Sequence, residues 1–559
     1  MTKADAPYLN KRRLSYHHRG GDEPLLWATI PDHLRAIAER FPDHDAIVSC
    51  HQNKRLSYRD VRTQSDAVAK GLLALGFAKG ERIGVWATDQ VEWLLLQLAT
   101  ARIGVVLVNI NPAYRPRELE YALQKSQVQG LFVMPRFKSS DYLAMLKELD
   151  LPGPRCPDLR RIFVFDPQGE SEDWRAILDT GKAVTDAQLD AVSQTLDPDD
   201  AINIQYTSGT TGFPKAVVLS HFNILNNALF SAHAMRFTER DRLCVPVPFY
   251  HCFGMVLANL LCMSVGAAIV VPSEHFDALA VLQSIEVEKC TALHGVPTMF
   301  IAELEHPEFS AFDLSTLRTG IMAGAPCPEA LMKRVMRDMH LTEILIGYGQ
   351  TEASPLTHLT NAGDSIELRT QTVGRNLPHQ EVKIINPDSG ATLPTDEVGE
   401  VCFRGYHIMQ GYYGDADATA KAIDPAGWLH SGDLGTMDAN GYVRITGRIK
   451  DMIIRGGENI YPAEIEAWLY EHPAIAQAAV FGVPDARMGE EIMAWIELHA
   501  GQSLSEDDVK AYCREGLAHF KVPHYVEFVD EFPMTVTGKL QKFRMREIAA
   551  AKLAAAHAV

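Results

Sequence analysis

Short apolar runs alternate with longer amphipathic segments along this chain, and the alternation predicts an α/β fold. Arg82 to Ala87 reads as a strand, Val91 to Gly104 (VEWLLLQLATARIG) as a helix, and Val105 to Ile110 as a strand again. Further strand-like runs stand at Leu131 to Met134, Ile162 to Phe165, Ala201 to Tyr206 and Glu343 to Ile346. Between Arg242 and Glu274 no Asp, Glu, Lys or Arg interrupts the sequence, which raises the question of a membrane span. His251 and Asn259 lie inside that run, and Gly266 separates a helix-like Val256 to Val265 from a strand-like Ala267 to Val271. A buried helix followed by a buried strand is the expectation. Past Thr446 the texture changes to a compact set: a strand, a helix opened by Pro462, strands Ala478 to Gly482 and Ile492 to Leu498, and a helix from Ser505. A boundary near Lys450 therefore divides a large α/β domain of several subdomains, 1–449, from a small α+β domain, 450–559. The alanine-rich tail after Ile548 reads as a fraying helix.

Composition narrows the classes. The 559 residues are 47% hydrophobic, enough for large cores. With 53 basic and 71 acidic residues the formal charge is −18, which disfavours a broad nucleic-acid surface. The nine cysteines are scattered and never spaced C-x-x-C, so a reduced compartment without structural zinc is expected. Lys11-Arg12-Arg13 has no apolar stretch behind it and does not read as a secretory signal, which makes the cytoplasm the expected location.

The densest chemistry follows the strand-like AINIQY. The segment from Thr207 through Ser208, Gly209, Thr210, Thr211 and Gly212 to Lys215 packs hydroxyls, glycines and a cation into one loop. Such a loop can wrap polyphosphate: glycines let backbone N–H groups approach, hydroxyls add donors and the lysine adds charge. It departs from G-x-x-x-x-G-K-[ST], since Gly209 and Gly212 are three apart and Ala216 follows the lysine. On composition alone, a plain surface loop stays open.

In order and spacing, YTSGTTGFPK resembles the signature of the adenylate-forming superfamily, which includes acyl-CoA synthetases, luciferases and peptide-synthetase adenylation domains. Four further segments fall in that family's order: Gly347 to Glu352 (GYGQTE), Gly427 to Gly435 (GWLHSGDLG), Gly447 to Pro462, and Thr537-Gly538-Lys539. The resemblance spans roughly Leu26 to Arg546, with Ala216 standing where the family usually has glycine. It implies an acyl-CoA synthetase of the fatty-acid ligase branch, with ATP and Mg2+ as cofactors and coenzyme A as co-substrate. Tyr348, between Gly347 and Gly349 and followed by Gln350, would stack on adenine. Thr351 would hold the α-phosphate, Glu352 the magnesium ion, Asp433 the ribose hydroxyls, and Arg448 the ribose or phosphate. Gly324, Ala325 and Pro326 would stand beside the nucleotide.

The remaining roles concern the acyl group and the domain motion. Lys539 would be the adenylation lysine, and His251 would line the acyl site. Lys450 would be the hinge whose rotation brings Arg455, Gly456 and Gly457 to the coenzyme tunnel. Small apolar segments at His251 to Gly254, Gly295 to Thr298 and Ala323 to Pro326 suit a fatty acyl chain and would equally suit an aromatic acid; the resemblance favours a medium- to long-chain fatty acid, and Gly349 is expected to open onto that pocket. The partners implied are a small carboxylic acid, ATP and coenzyme A, without nucleic acid or a transmembrane segment; a homodimer stays open. An aromatic-acid ligase, an adenylation enzyme loading a separate carrier protein, a luciferase-like oxygenase and a non-catalytic nucleotide-binding protein share parts of this pattern.

Overall fold

The computed structural model describes residues 13–166, 172–207, 214–325, 327–456, 458–485, 487–534 and 540–557. Three large sheets, with a two-stranded ribbon of Arg136–Phe137 and Ser140–Asp141, build the described part of the large N-terminal domain. A seven-stranded sheet takes the order Gly411–Tyr412, Lys215–Ser220, Ala201–Thr207, Val106–Asn109, Arg82–Trp86, Gly130–Val133, Arg161–Val164. Its last five strands are parallel. A nine-stranded sheet runs from Arg375–Asn376 through Leu356–Leu359, Glu343–Gly349, Thr319–Ala323, Ala292–Leu293, Arg242–Cys244, Ala268–Val271 and Asp45–Ser49 to Lys54–Ser57. The third sheet is antiparallel: Tyr16–Arg19, Gln380–Ile385, Gly399–Gly405, Leu429–Met437, Val443–Arg448.

The helix Val91–Ile103 is buried on nearly every side, which is why its sequence shows an apolar run and no amphipathic stripe. The uncharged segment after Arg242 forms a helical stretch, Cys252–Gly254, a π-helical stretch Met255–Leu260 and helix Leu261–Val265, then strand Ala268–Val271. All of it lies in the main core. Asn259 Nδ2 donates to Gln97 Oε1 at 3.1 Å, a polar contact inside the protein that lipid would not offer. Among the described residues no helix is long and apolar enough to cross a membrane.

From Ile453 the chain builds a separate small sheet. The strands anticipated at Ala478 and Ile492 are the inner parts of a long hairpin, Ile475–Asp485 with Gly489–Leu498, flanked by Ile453–Arg455, Glu458–Ile460 and Tyr525–Phe528. Tyr461 precedes helix Pro462–Tyr470, and Ser505 caps helix Glu506–Gly516 in a reciprocal box with Asp508. The expectation of a fraying tail needs correction. Helix Lys542–His557 docks on the sheet, with Met545 and Ala549 fully buried among Phe481, Val483, Met493 and Trp495. Alanine at 549 is a close-packing residue there.

Candidate active site

Strands of all three large sheets deliver the chemical groups to one region. In the nine-stranded sheet, Thr319–Ala323 and Glu343–Gly349 run parallel with Ala323 opposite Gly347. Their carboxyl ends carry Gly324-Ala325 and Tyr348 to Glu352 side by side, where ligands of parallel sheets are usually held. In the seven-stranded sheet, Thr207 and Lys215 are partners at the open end of a hairpin. Ser208, Gly209, Thr210, Thr211 and Gly212 fall in the loop between them and lie outside the described residues, as do Pro326, Gly457 and Lys539.

The antiparallel sheet supplies the carboxylate. Asp433 is buried, 6% exposed, and pairs across the strands with Arg448. Arg448 Nε donates to Asp433 Oδ1 at 3.0 Å, and the Tyr348 phenol donates to Oδ2 at 2.7 Å from the neighbouring sheet. Burial first, and then the Asp433 charge, push the Tyr348 phenol well above its ordinary range, so it stays a neutral donor.

A second junction surrounds Glu352. Tyr412, on the edge of the seven-stranded sheet, donates to Glu352 Oε1 at 2.9 Å, and the Met409 N–H donates to the Glu352 backbone carbonyl at 2.9 Å. Lys215 Nζ sits 4.6 Å from the centre of the Tyr412 ring. The lysine of the proposed phosphate loop, a phenol and the proposed magnesium carboxylate therefore form one chain of contacts. Tyr412 escaped sequence reading: it stands in an unremarkable GYY, and only the sheet edge brings it to Glu352.

Thr351 is nearly buried, and its Oγ1 lies 3.6 Å from Cys252 Sγ, which is itself 3.7 Å from His251 Nδ1. His251 Nδ1 accepts the Phe253 N–H at 3.1 Å and caps the short helix there, so the neutral ring carries its proton on Nε2. Phe253 stacks on His294 with ring centres 5.3 Å apart. His294 in turn binds the Leu257 carbonyl at 2.8 Å and accepts the Ile321 N–H at 3.1 Å, fixing three segments around this corner.

Gly349 stands differently from expectation. A Cβ at Gly349 would meet the Pro355 carbonyl oxygen at 1.9 Å, because the Gln350 N–H bonds that same oxygen in a tight turn. A side chain here would point at backbone and not into an acyl pocket, which argues against the chain-length role. Arg455 makes a two-pronged ion pair with Glu491 inside the small domain, at 2.6 and 3.0 Å, and the Gly456 N–H bonds the Met488 carbonyl. Lys450 lies in the single turn Ile449–Asp451 that links the two domains. Across the junction, Tyr461 packs near Gly447, whose Cβ would stand 3.8 Å from the tyrosine ring.

Among the described residues one group offers three metal-type donors within 4.8 Å of one another: Glu400, Cys402 and His430. They lie beneath Asp433 and are distinct from Glu352.

Comparisons with known proteins agree with this geometry. Residues 34–413 match the AMP-binding enzyme family and residues 464–539 match the AMP-binding enzyme C-terminal domain. YngI of Bacillus subtilis (strain 168) is 50% identical over 535 residues, covering 94% of this chain and 97% of the relative. The mitochondrial medium-chain acyl-CoA ligase ACSF2 of Danio rerio is 42% identical over 554 residues, covering 97% and 91%. Among solved structures, the anthranilate CoA ligase AuaEII in complex with anthranoyl-AMP aligns with a TM-score of 0.84 at 27% identity, covering 95% of this chain and 99% of that one. A match over most of the length, with both the large and the small domain in order, places the chain in the AMP-binding enzyme family, in its acyl-CoA synthetase branch.

Proposed function

We propose that this enzyme activates a medium- to long-chain fatty acid with ATP and transfers the acyl group to coenzyme A. The observation that carries the reading is the meeting of Lys215, Thr351–Glu352 and the Tyr348–Asp433–Arg448 set from three sheets. One end of that region is anionic and hydrogen-bonding for ribose, the other hydroxylic and cationic for phosphate. The medium-chain name of the ACSF2 relative supports the acid class. In the first step the substrate carboxylate attacks the α-phosphorus in line, forming the acyl–phosphate bond as the bond to pyrophosphate breaks. Thr351 donates to the α-phosphate in this reading, and Lys215 adds positive charge near the outer phosphates. Glu352, held by Tyr412, has the donor chemistry to hold magnesium, which would neutralise phosphate charge when bound. In the second step the coenzyme A thiol attacks the acyl carbonyl and AMP leaves.

The division of labour between domains rests on the family pattern. Lys539 serves adenylation, and the small domain turns about Lys450 between the steps. Lys539→Ala should slow pyrophosphate release by about two to three orders of magnitude while sparing thioester formation from supplied acyl-adenylate. Equal loss in both half-reactions would end the two-state reading. Coenzyme A-dependent AMP formation across acetate, octanoate, palmitate, benzoate and cinnamate tests the acid class. The reading expects octanoate to lead, and a best rate with benzoate or cinnamate would replace it with an aromatic-acid ligase.

A further inference from the structure

Asp433 sits where the antiparallel sheet is broken. His430 pairs with Cys402 and Leu434 pairs with Glu400, so Ser431, Gly432 and Asp433 stand opposite the single residue Val401. Gly432 turns through φ +70° to allow it, a conformation that suits glycine. Bulges of this kind re-aim side chains, and they need holding because the sheet ladder no longer does so.

Glu400 does the holding. Its Oε1 accepts the Gly432 N–H at 3.1 Å and its Oε2 accepts His430 Nδ1–H at 2.9 Å, while the far side of the His430 ring lies 3.9 Å from Asp424. Ser431 Oγ takes the Asp433 N–H at 3.0 Å. The Glu400 side chain is only 9% exposed, so these bonds face little competition from water. Cys402 Sγ completes a three-donor group in which one Glu400 oxygen serves the bulge and the other the flanking His430.

We propose that Glu400 is a positioning residue that braces the Ser431–Asp433 bulge and thereby sets the Asp433 carboxylate for the two ribose hydroxyls of ATP. This rests on the reading of Asp433 as the ribose ligand. A brace that acts only through Asp433 matters only when there are hydroxyls to bind. Glu400→Ala should lower kcat/KM for ATP about tenfold to a hundredfold, the scale of a small misplacement in a site. With 2′,3′-dideoxy-ATP the same substitution should cost little, and KM for the acid and for coenzyme A should stay unchanged. Glu400→Gln keeps an acceptor for Gly432 and should recover most of the loss. Glu400→Asp, too short to reach both Gly432 and His430, is read in the same way should the alanine variant fold poorly. Asp433→Asn is the control for the underlying reading. If Asp433→Asn discriminates between the two nucleotides and the Glu400 variants lose equally on both, Glu400 is merely structural and the proposal is overturned. If Asp433→Asn shows no discrimination, the ribose reading itself fails and takes the brace with it.

Discussion

The Tyr348 phenol reaches from the nine-stranded sheet to Asp433 Oδ2 in the antiparallel sheet, 2.7 Å away, while Arg448 holds Oδ1 at 3.0 Å. The carboxylate is held from both sides by protein groups. Tyr348→Phe keeps the ring proposed to stack on adenine and removes one donor. Hydrogen bonds to charged groups contribute about 1.5–3 kcal/mol, so KM for ATP should rise at least about tenfold with kcat less affected. An unchanged KM would mean that the Tyr348 hydrogen bond is not needed to orient Asp433.

Tyr412 is expected to matter through Glu352. Removing a partner that orients a metal ligand typically costs about 10- to 100-fold in metal affinity. Tyr412→Phe should therefore raise the free Mg2+ needed for half-maximal pyrophosphate release about tenfold, and Glu352→Gln should raise it further. Equal Mg2+ dependence in all three proteins would remove Glu352 from the metal site.

Gly349→Ala tests the revised reading of that glycine. Its Cβ would stand 1.9 Å from the Pro355 carbonyl oxygen, so the strand and the turn must part. Overpacking of this kind costs about 1–3 kcal/mol. The variant should melt earlier and lose activity on every acid alike; a shift in preference toward shorter acids would restore the chain-length role.

Buried histidines set an acid limit. Burial holds His221 and His294 down at about 4 and His358 and His407 at about 3, with the nearby His407, His17 and Arg19 charges also acting on His358. Below about pH 6.5 the unfolded chain takes up protons that the native rings refuse, so stability falls as pH falls. Each such ring contributes up to about 1.4 kcal/mol per pH unit in that window. The melting temperature should drop steeply between about pH 6.5 and 5, before most carboxylates titrate. His407 is the clean probe because neither of its ring nitrogens has a partner among the described residues. His407→Leu should flatten the pH dependence, and a slope equal to that of the parent protein would assign the acid loss elsewhere.

Much of the fold was written in the order of residues. Apolar runs marked Ala201–Thr207 and Val106–Asn109 to within a residue and the start of Glu343–Gly349, whose last three residues the run missed, because strand burial follows local pattern. The ordered motifs also named Tyr348, Asp433 and Arg448 as members of one site. Local pattern could not show what packs from far along the chain. Ala549 looked like part of a loose tail because an alanine-rich helix carries no stripe of large residues, yet a sheet nearby covers it. Gly349 looked like an opening because sequence does not reveal that a turn six residues on points a carbonyl at it. The hydrogen bonds from Tyr412 to Glu352 and from Glu400 to the Asp433 bulge join residues 60 and 32 positions apart. Sequence fixes which groups exist and how each strand forms; contacts between sheets depend on how whole layers pack, so only the tertiary structure decided which of those groups hold one another in place.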